Sequence, residues 1–260
     1  MGGTTDARLK KAHPRGEAQS GRLHIAIYSS AMPATLLALD TGSPLVSVAL
    51  AREGAVVASR SIEQARSSTR LLAMIQEVLD EAGIGLGGIG GIGGIAVLRG
   101  PGSFTGLRIG LATVLGLHQA LDVPAAALPS LPVLAASAGA AAPVVIAAVD
   151  ALRGDWSAQA FAAGRPLNAM ELVAGSELPR LAGGGGAVVI GFGVSRLAAL
   201  PDWPAAIRLI EPGPLAPTAA LLAGAPGTVW NAADLTTAIY SRPPAITLPR
   251  PRVAATPPAP

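Results

Sequence analysis

Few side chains in this sequence are placed to do chemistry, and the first to consider are two carboxylates that close strand-like runs. Asp40 ends LLALD and Asp150 ends IAAVD. The turn Asp40-Thr41-Gly42 suits a position beside phosphate or Mg²⁺, and equally a plain capped turn. Two such carboxylates around Mg²⁺ would serve a nucleotide phosphohydrolase or a kinase-like enzyme. Other catalytic equipment is sparse. The three histidines, His13, His24 and His118, are scattered without an H-x-x-x-H pair, so no metal site is assigned. The chain has no cysteine, which excludes thiolate chemistry, cysteine metal sites and a disulfide framework. No Ser, His and Asp grouping suggests a nucleophile, and His118 reads as a partly buried helix residue rather than a base.

The most informative segment is RGPGSFTGLRIG, Arg99 to Gly110. It follows a strand-like run and opens a helix-like one, a context in which backbone N–H groups point outward toward an anion or a partner's carbonyl. Gly100, Gly102 and Gly106 permit positive φ or close approach, Pro101 stiffens the bend, and Ser103 and Thr105 are candidate helix caps. No lysine occurs after Lys11, so this is not a Walker loop, and Pro101 and Thr105 exclude a G-x-S-x-G elbow. Glycine geometry alone leaves a tight packing turn and a binding surface both open. The tract GIGLGGIGGIGG, Gly83 to Gly94, contains G-x-G-x-x-G twice, but a helix precedes it and a strand follows. A dinucleotide site needs the reverse order, so the tract reads as a connection.

These segments need elements to hold them. Thr35 to Leu39, Leu45 to Ala51 and Ala55 to Ser61 read as a β-meander, with Arg52, Glu53 and Gly54 as a three-residue turn. Ser67 to Ala82 follows as a helix with Leu71, Leu72, Ile75, Val78 and Leu79 on one face, Ser67, Ser68 or Thr69 as its cap and Gly83 as its stop. Gly94 to Leu98 is a strand and Thr105 to Leu121 a helix. In that helix Gly106, Gly110 and Gly116 stand near Leu107, Leu111, Val114 and Leu117. Each mid-helix glycine costs about 1 kcal/mol against alanine, so close helix contact must compensate, either inside the lobe or at a subunit interface. Phe104 beside this groove favours the interface.

The order then begins again. Val144 to Val149, Trp156 to Ala162 and Leu167 to Val173 read as strands, followed by a short helix and the strand Ala187 to Ile190, which suggests an internal duplication and two packed α/β lobes. The first lobe takes residues 35–128 and the second 129–242, with one helix at Thr218 to Ala223. Residues 1–34 read as a disordered basic leader or a mispredicted start, since Met32 stands just before the first strand, and 243–260 as a Pro-rich tail.

The chain has 260 residues, half of them apolar and 3% aromatic, so its core is built from Ala, Val, Leu and Ile in close contact. The formal charge of +3 arises from the ends. Thr35 to Ser241 carries eleven basic and fourteen acidic residues, which leaves no basic stripe for nucleic acid. Val123 to Val149 has no charge over 27 residues, but Pro124, Pro129, Pro132 and Pro143 interrupt it, and it reads as a short helix and a buried strand rather than a membrane span. The stretch His24 to Ala31 only mimics a signal peptide. A cytoplasmic protein is expected.

LLALDTG followed by GPGSFTGLRIGLATVLGL resembles the TsaB (YeaZ) family, which acts in threonylcarbamoyl-adenosine modification of tRNA. SSTRLLAMIQEVLDEAG and VDALRGDWSAQAF support the resemblance, and Tyr240-Ser241-Arg242 echoes a C-terminal Tyr-x-Arg. Two departures stand out: a His usual before the first long helix is absent, and Leu152 stands where an Arg is common. The resemblance implies a two-lobed actin-like (ASKHA, RNase H-like) α/β fold with duplicated βββα units and a non-catalytic role. In this family TsaD holds the metal and transfers threonylcarbamoyl to N6 of adenosine 37. TsaB pairs with TsaD through first-lobe helices, and the ATPase TsaE joins them. Carried over, the pairing helices are Ser67 to Ala82 and Thr105 to Leu121. Their contact residues would be Leu71, Leu72 and Ile75 on the first helix. The second would contribute Phe104, Gly106, Leu107, Gly110, Leu111 and Val114. No cofactor is implied for this chain alone. ATP and Mg²⁺ belong to the assembled complex, tRNA is met through that complex, and a homodimer is an option when the partner is absent. A glycoprotease activity once attached to relatives finds no nucleophile or metal pair in this sequence.

Overall fold

The computed structural model describes residues 35–64, 70–85, 91–139 and 142–242. The leader, the cap candidates Ser67, Ser68 and Thr69, most of the centre of the glycine tract and the Pro-rich tail lie outside the described residues.

The first lobe is built from β1 (Thr35–Asp40), β2 (Leu45–Arg52), β3 (Ala55–Glu63), α1 (Leu71–Glu81), β4 (Gly94–Leu98), α2 (Phe104–Leu121) and β5 (Ala125–Leu128). The strands lie in the order β3-β2-β1-β4-β5; β1 to β3 pair antiparallel, and β4 and β5 extend the sheet in parallel from β1. Arg52 still pairs with Ala55, so the β2–β3 turn is two residues, Glu53 and Gly54, rather than three. Both have positive φ, 52° and 77°, which matches the twist of a tight hairpin. Strand β5 was missed among the alanines of the uncharged stretch. Alanine has little intrinsic strand preference, and here pairing with β4 and burial on both faces decide.

The central strands are buried on both faces, and the two faces differ. Leu37, Leu39, Ile95 and Val97 meet the α1/α2 layer, while Leu36, Ala38, Ala96 and Leu98 point toward a second core shared with later segments. That second core holds α3 (Ser130–Ser137) and α4 (Ala216–Ala223), whose Ala219, Ala220 and Ala223 lie against the small side chains of the sheet. Small residues on both sides let backbones approach closely, which accounts for a large core with few aromatic rings.

The second lobe contains β6 (Val144–Asp150), β7 (Asp155–Ala162), β8 (Arg165–Pro166), β9 (Glu171–Ala174), β10 (Ala187–Ile190) and β11 (Ile207–Ile210). Its order, β11-β10-β6-β7 with β8 and β9 both on β7, repeats that of the first lobe. This is the duplicated two-lobed, actin-like fold of RNase H-like α/β units. Of the strand expected over Leu167 to Val173 only Glu171 to Val173 forms, within β9; before it Asn168 meets β7, its Oδ1 accepting the Ala160 N–H at 2.8 Å and its backbone carbonyl accepting from the Gln159 side chain at 2.8 Å. In place of α-helices this lobe has 3-10 segments, Gly175–Ala182 with Pro179 inside it, and Val194–Ala199.

The expected boundary of a second lobe at 129–242 needs correction. Helix α4 packs on β1 and β2 of the first lobe, and its Ala216 N–H donates to the buried Ser47 Oγ at 3.1 Å. A following 3-10 turn, Ala232–Thr236, sets Leu235 into the first lobe's core. The chain thus returns across both lobes. Among the described residues no helix is long and apolar enough to cross a membrane.

Candidate functional site

The two motifs, some sixty residues apart in sequence, form one interlocked unit. Asp40 at the end of β1 turns the chain by accepting the Gly42 and Ser43 N–H groups on Oδ1, at 3.0 and 3.2 Å. It is 1% exposed, and Oδ2 has no partner. Burial pushes its carboxyl up to about 6, against the lowering effect of hydrogen bonds from the Ser43 side chain and the Gly42 and Ser43 amides. Thr41 then docks on α2: its Oγ1 donates to the Gly106 carbonyl at 2.8 Å, and its own carbonyl accepts from Gln64 at 3.2 Å.

Helix α2 is shaped to receive this turn. Ser103 caps it, its Oγ accepting the Gly106 N–H at 3.3 Å, while the Ser103 N–H donates to the Gly42 carbonyl at 2.8 Å. A Cβ at Gly102 would meet the Gly42 carbonyl at 2.8 Å; one at Gly106 would collide with the Thr41 carbonyl, and one at Gly110 with the Thr41 hydroxyl. The glycines bring the two turns into direct contact. Gly100 has φ 107°, and a Cβ there would strike the Ile239 carbonyl. It precedes a cis Pro101.

Between the lobes lies a cleft of about 230 Å³. Its walls include Gly42 and Ser43, Gly102 and Ser103, and from the other side Asp150 and Phe192. Asp40 is buried and does not line this space. Asp150 accepts the Leu152 N–H at 2.8 Å and pairs with Arg196 at 2.8 Å. Arg196 also lies over the Trp156 ring at 4.5 Å. Both strand-end carboxylates are therefore engaged by their own lobes. Among the described residues no group of three or more His, Cys, Asp or Glu side chains is arranged to hold a metal ion.

The side chains expected to contact a partner divide sharply. Leu71, Ile75, Leu107, Leu111 and Val114 are buried in the first lobe's own core or against the Asp40 turn, and Gly106 and Gly110 are filled by Thr41. Their proposed outward role is corrected, because the sheet already covers that face. Leu72, placed on the same face as Leu71 in the sequence reading, instead points away and is 66% exposed; the buried set on α1 is completed by Met74. Phe104 is 43% exposed and Thr105 is also outward, so Ser103 alone caps the helix.

Missed by the sequence reading is the opposite side of α2, where Ile109, Ala112 and Gly116 form an exposed stripe at spacings of three and four. Nothing lies within 4 Å of the position of a Gly116 Cβ. The signal available was the complement of the glycine-leucine face. His118 is half-buried, its Nδ1 2.7 Å from the Val123 carbonyl.

A family model described as TsaD, tRNA N6-adenosine threonylcarbamoyltransferase, matches residues 51–164. The curated tRNA threonylcarbamoyladenosine biosynthesis protein TsaB of Haemophilus influenzae is 39% identical over 119 residues, covering 45% of this chain and 49% of that protein. TsaB of Escherichia coli is 36% identical, covering 46% of this chain and 52% of its own. The chain thus spans about half the length of the curated relatives it matches. The structural likeness runs further. A Pseudomonas aeruginosa protein described as similar to peptidase YeaZ superposes with TM-score 0.63 and 32% identity, over 80% of this chain and 100% of that one. YeaZ from P. aeruginosa gives 0.59 and 32%, over 74% and 90%. Identity at that level, sustained over nine-tenths or more of both P. aeruginosa chains on the same two-lobed fold, means that this chain belongs to the TsaB (YeaZ) family.

Proposed function

We propose that the chain is a non-catalytic subunit of the bacterial machinery that makes N6-threonylcarbamoyladenosine at tRNA position 37, where it binds and supports the catalytic subunit TsaD. The observation that carries this reading is the outward side of the α1/α2 layer, on which Leu72, Phe104 and Ile109 stand exposed at 66%, 43% and 36%. Exposed apolar side chains at the start of α1 and along α2 fit a protein partner. The names of the curated relatives supply the pathway.

On this reading the metal and the transfer chemistry reside in TsaD, the ATPase TsaE joins the pair, and ATP, Mg²⁺ and tRNA are met by the assembly. Without its partner, the chain would cover the same face with a second copy. The rival reading, a Mg-nucleotide phosphohydrolase or kinase-like enzyme, needs Asp40 and Asp150 open to the cleft. Asp40 is buried, and Asp150, although it lines the cleft, is already paired with Arg196, which favours the binding role.

The test is the solution mass of the chain mixed with TsaD at micromolar concentration. A one-to-one complex is expected, weakened by Leu72→Asp and Ile109→Asp. Absence of any complex would overturn the proposal. Calorimetry with Mg-ATP should give no sub-millimolar binding to the isolated chain.

A further inference from the structure

The segment that ends at Tyr240-Ser241-Arg242 has a place in the fold that the docking role alone does not explain. It runs along the back of the turn whose front lines the inter-lobe cleft. Asp234 pairs with Arg99 at 3.6 Å, and the Ile239 N–H donates to the Arg99 carbonyl at 2.7 Å. Tyr240 then reaches the start of α2: its hydroxyl accepts from Arg108 Nε at 3.2 Å, and its ring lies 5.1 Å from Phe104. The Arg108 guanidinium covers Phe104 from 3.8 Å. Two residues on, Arg242 crosses to the other lobe and pairs with Asp155 at the start of β7.

We infer that Asp155 and Arg242 form a latch between the lobes that positions the Arg99–Gly102 turn and, through Tyr240, the exposed Phe104 end of α2. The inference deepens the docking role and rests on it for the identity of the partner. Its physical basis is continuity. Three consecutive residues, Tyr240 to Arg242, span from the docking face to the second lobe, so a change in lobe angle must pull on the turn or break the ion pair. The Ile239 carbonyl occupies the place a Gly100 Cβ would take, so the segment lies directly against the turn. Asp155 and Arg242 are positioning residues and touch no substrate.

Hydrogen exchange on the full chain tests the latch without a partner. Arg242→Gln and Asp155→Asn should each speed exchange in segments 99–108 and 238–241 by about fivefold, the scale of one partly exposed ion pair. Arg242→Lys, which keeps the charge, should stay near wild type. Both groups are about one-third exposed, so folding should survive, and the two single variants check one another. Unchanged exchange in both variants, or Arg242→Lys behaving like Arg242→Gln, would overturn the latch. Affinity for TsaD should fall about threefold in Arg242→Gln. Loosened exchange with unchanged affinity would contradict the link to docking. If wild type does not bind TsaD at all, the docking role fails while the exchange result still judges the latch.

Discussion

The two lobes share a strand order but fill their connections differently. In the first, β3 leads to β4 through the eleven-residue α1, and β4 to β5 through the eighteen-residue α2. In the second, the matching connections are 3-10 segments of eight and six residues. The second lobe also closes its strand-end carboxylate with a visible cation, Arg196 on Asp150, and ties its edge with Arg180 on Glu171 at 2.6 Å. The first buries Asp40 without a counter-charge and spends glycines to bring α2 onto Thr41. One copy of the duplicated unit thus keeps long helices, with Leu72, Phe104 and Ile109 exposed among polar neighbours, while the other has short 3-10 segments in their place. On the proposed pairing with TsaD, interaction and support fall to different halves of the same architecture.

That contrast can be broken most forcefully at the glycines. Gly110→Arg, or Gly106→Leu, should destabilise the protein by about 3 kcal/mol or more, because backbone and Thr41 atoms occupy the space a side chain needs. An outward contact residue at position 110 would accept arginine in the monomer; the contact of Gly110 with Thr41 predicts a loss of stability instead. Urea unfolding of the variant decides. The second lobe's Gly186, with nothing within 4 Å of a Cβ, should accept alanine within about 0.5 kcal/mol.

The next effect is electrostatic. Asp40 titrates at about 6 in the folded protein against 3.8 for the free side chain. Between those values the native state holds a proton that the unfolded chain has shed. Its contribution to stability is therefore largest at low pH and is lost as pH rises from about 4 to about 6, by up to about 3 kcal/mol. Asp40→Asn, neutral throughout, should abolish that slope, so its stability relative to wild type should climb over the same window. Parallel denaturation curves of wild type and Asp40→Asn at pH 4 and pH 7 measure it.

Smaller effects sharpen the assignment of the surface. Leu72→Asp and Ile109→Asp should change stability by less than about 0.5 kcal/mol yet weaken TsaD binding about tenfold, whereas Leu167→Asp, an equally exposed change in the second lobe, should leave binding untouched. Gly116→Ala should raise stability by about 0.5–1 kcal/mol, since this glycine sits exposed in mid-helix with open space around it. A gain there beside a collapse at Gly110 would separate two glycines of one helix by what lies beyond them.

Much of this was legible in advance. The bounds of β4 and β10 follow from bounded apolar runs, and Ser103 as a cap and Gly83 as a stop follow from their local chemistry. The duplication could be read from matching LLALD and IAAVD strands. What sequence could not supply was the identity of the neighbour. Glycines at 106 and 110 announce a close approach but not that Thr41 makes it, and so a packed face was taken for a docking face. Leu71 and Leu72 are adjacent and alike, and only the sheet beneath decides which is inside. The return of α4 to the first lobe rests on long-range contact between alanine faces, which leaves no local pattern.

The proposed pairing with TsaD depends on which side of the α1/α2 layer faces the partner. The most direct measurement is titration calorimetry of TsaD with wild-type chain, Ile109→Asp and Leu167→Asp. Binding retained by wild type and Leu167→Asp and lost or at least about tenfold weaker for Ile109→Asp is the predicted result. Equal affinity for all three, with Ile109→Asp folded, would contradict it.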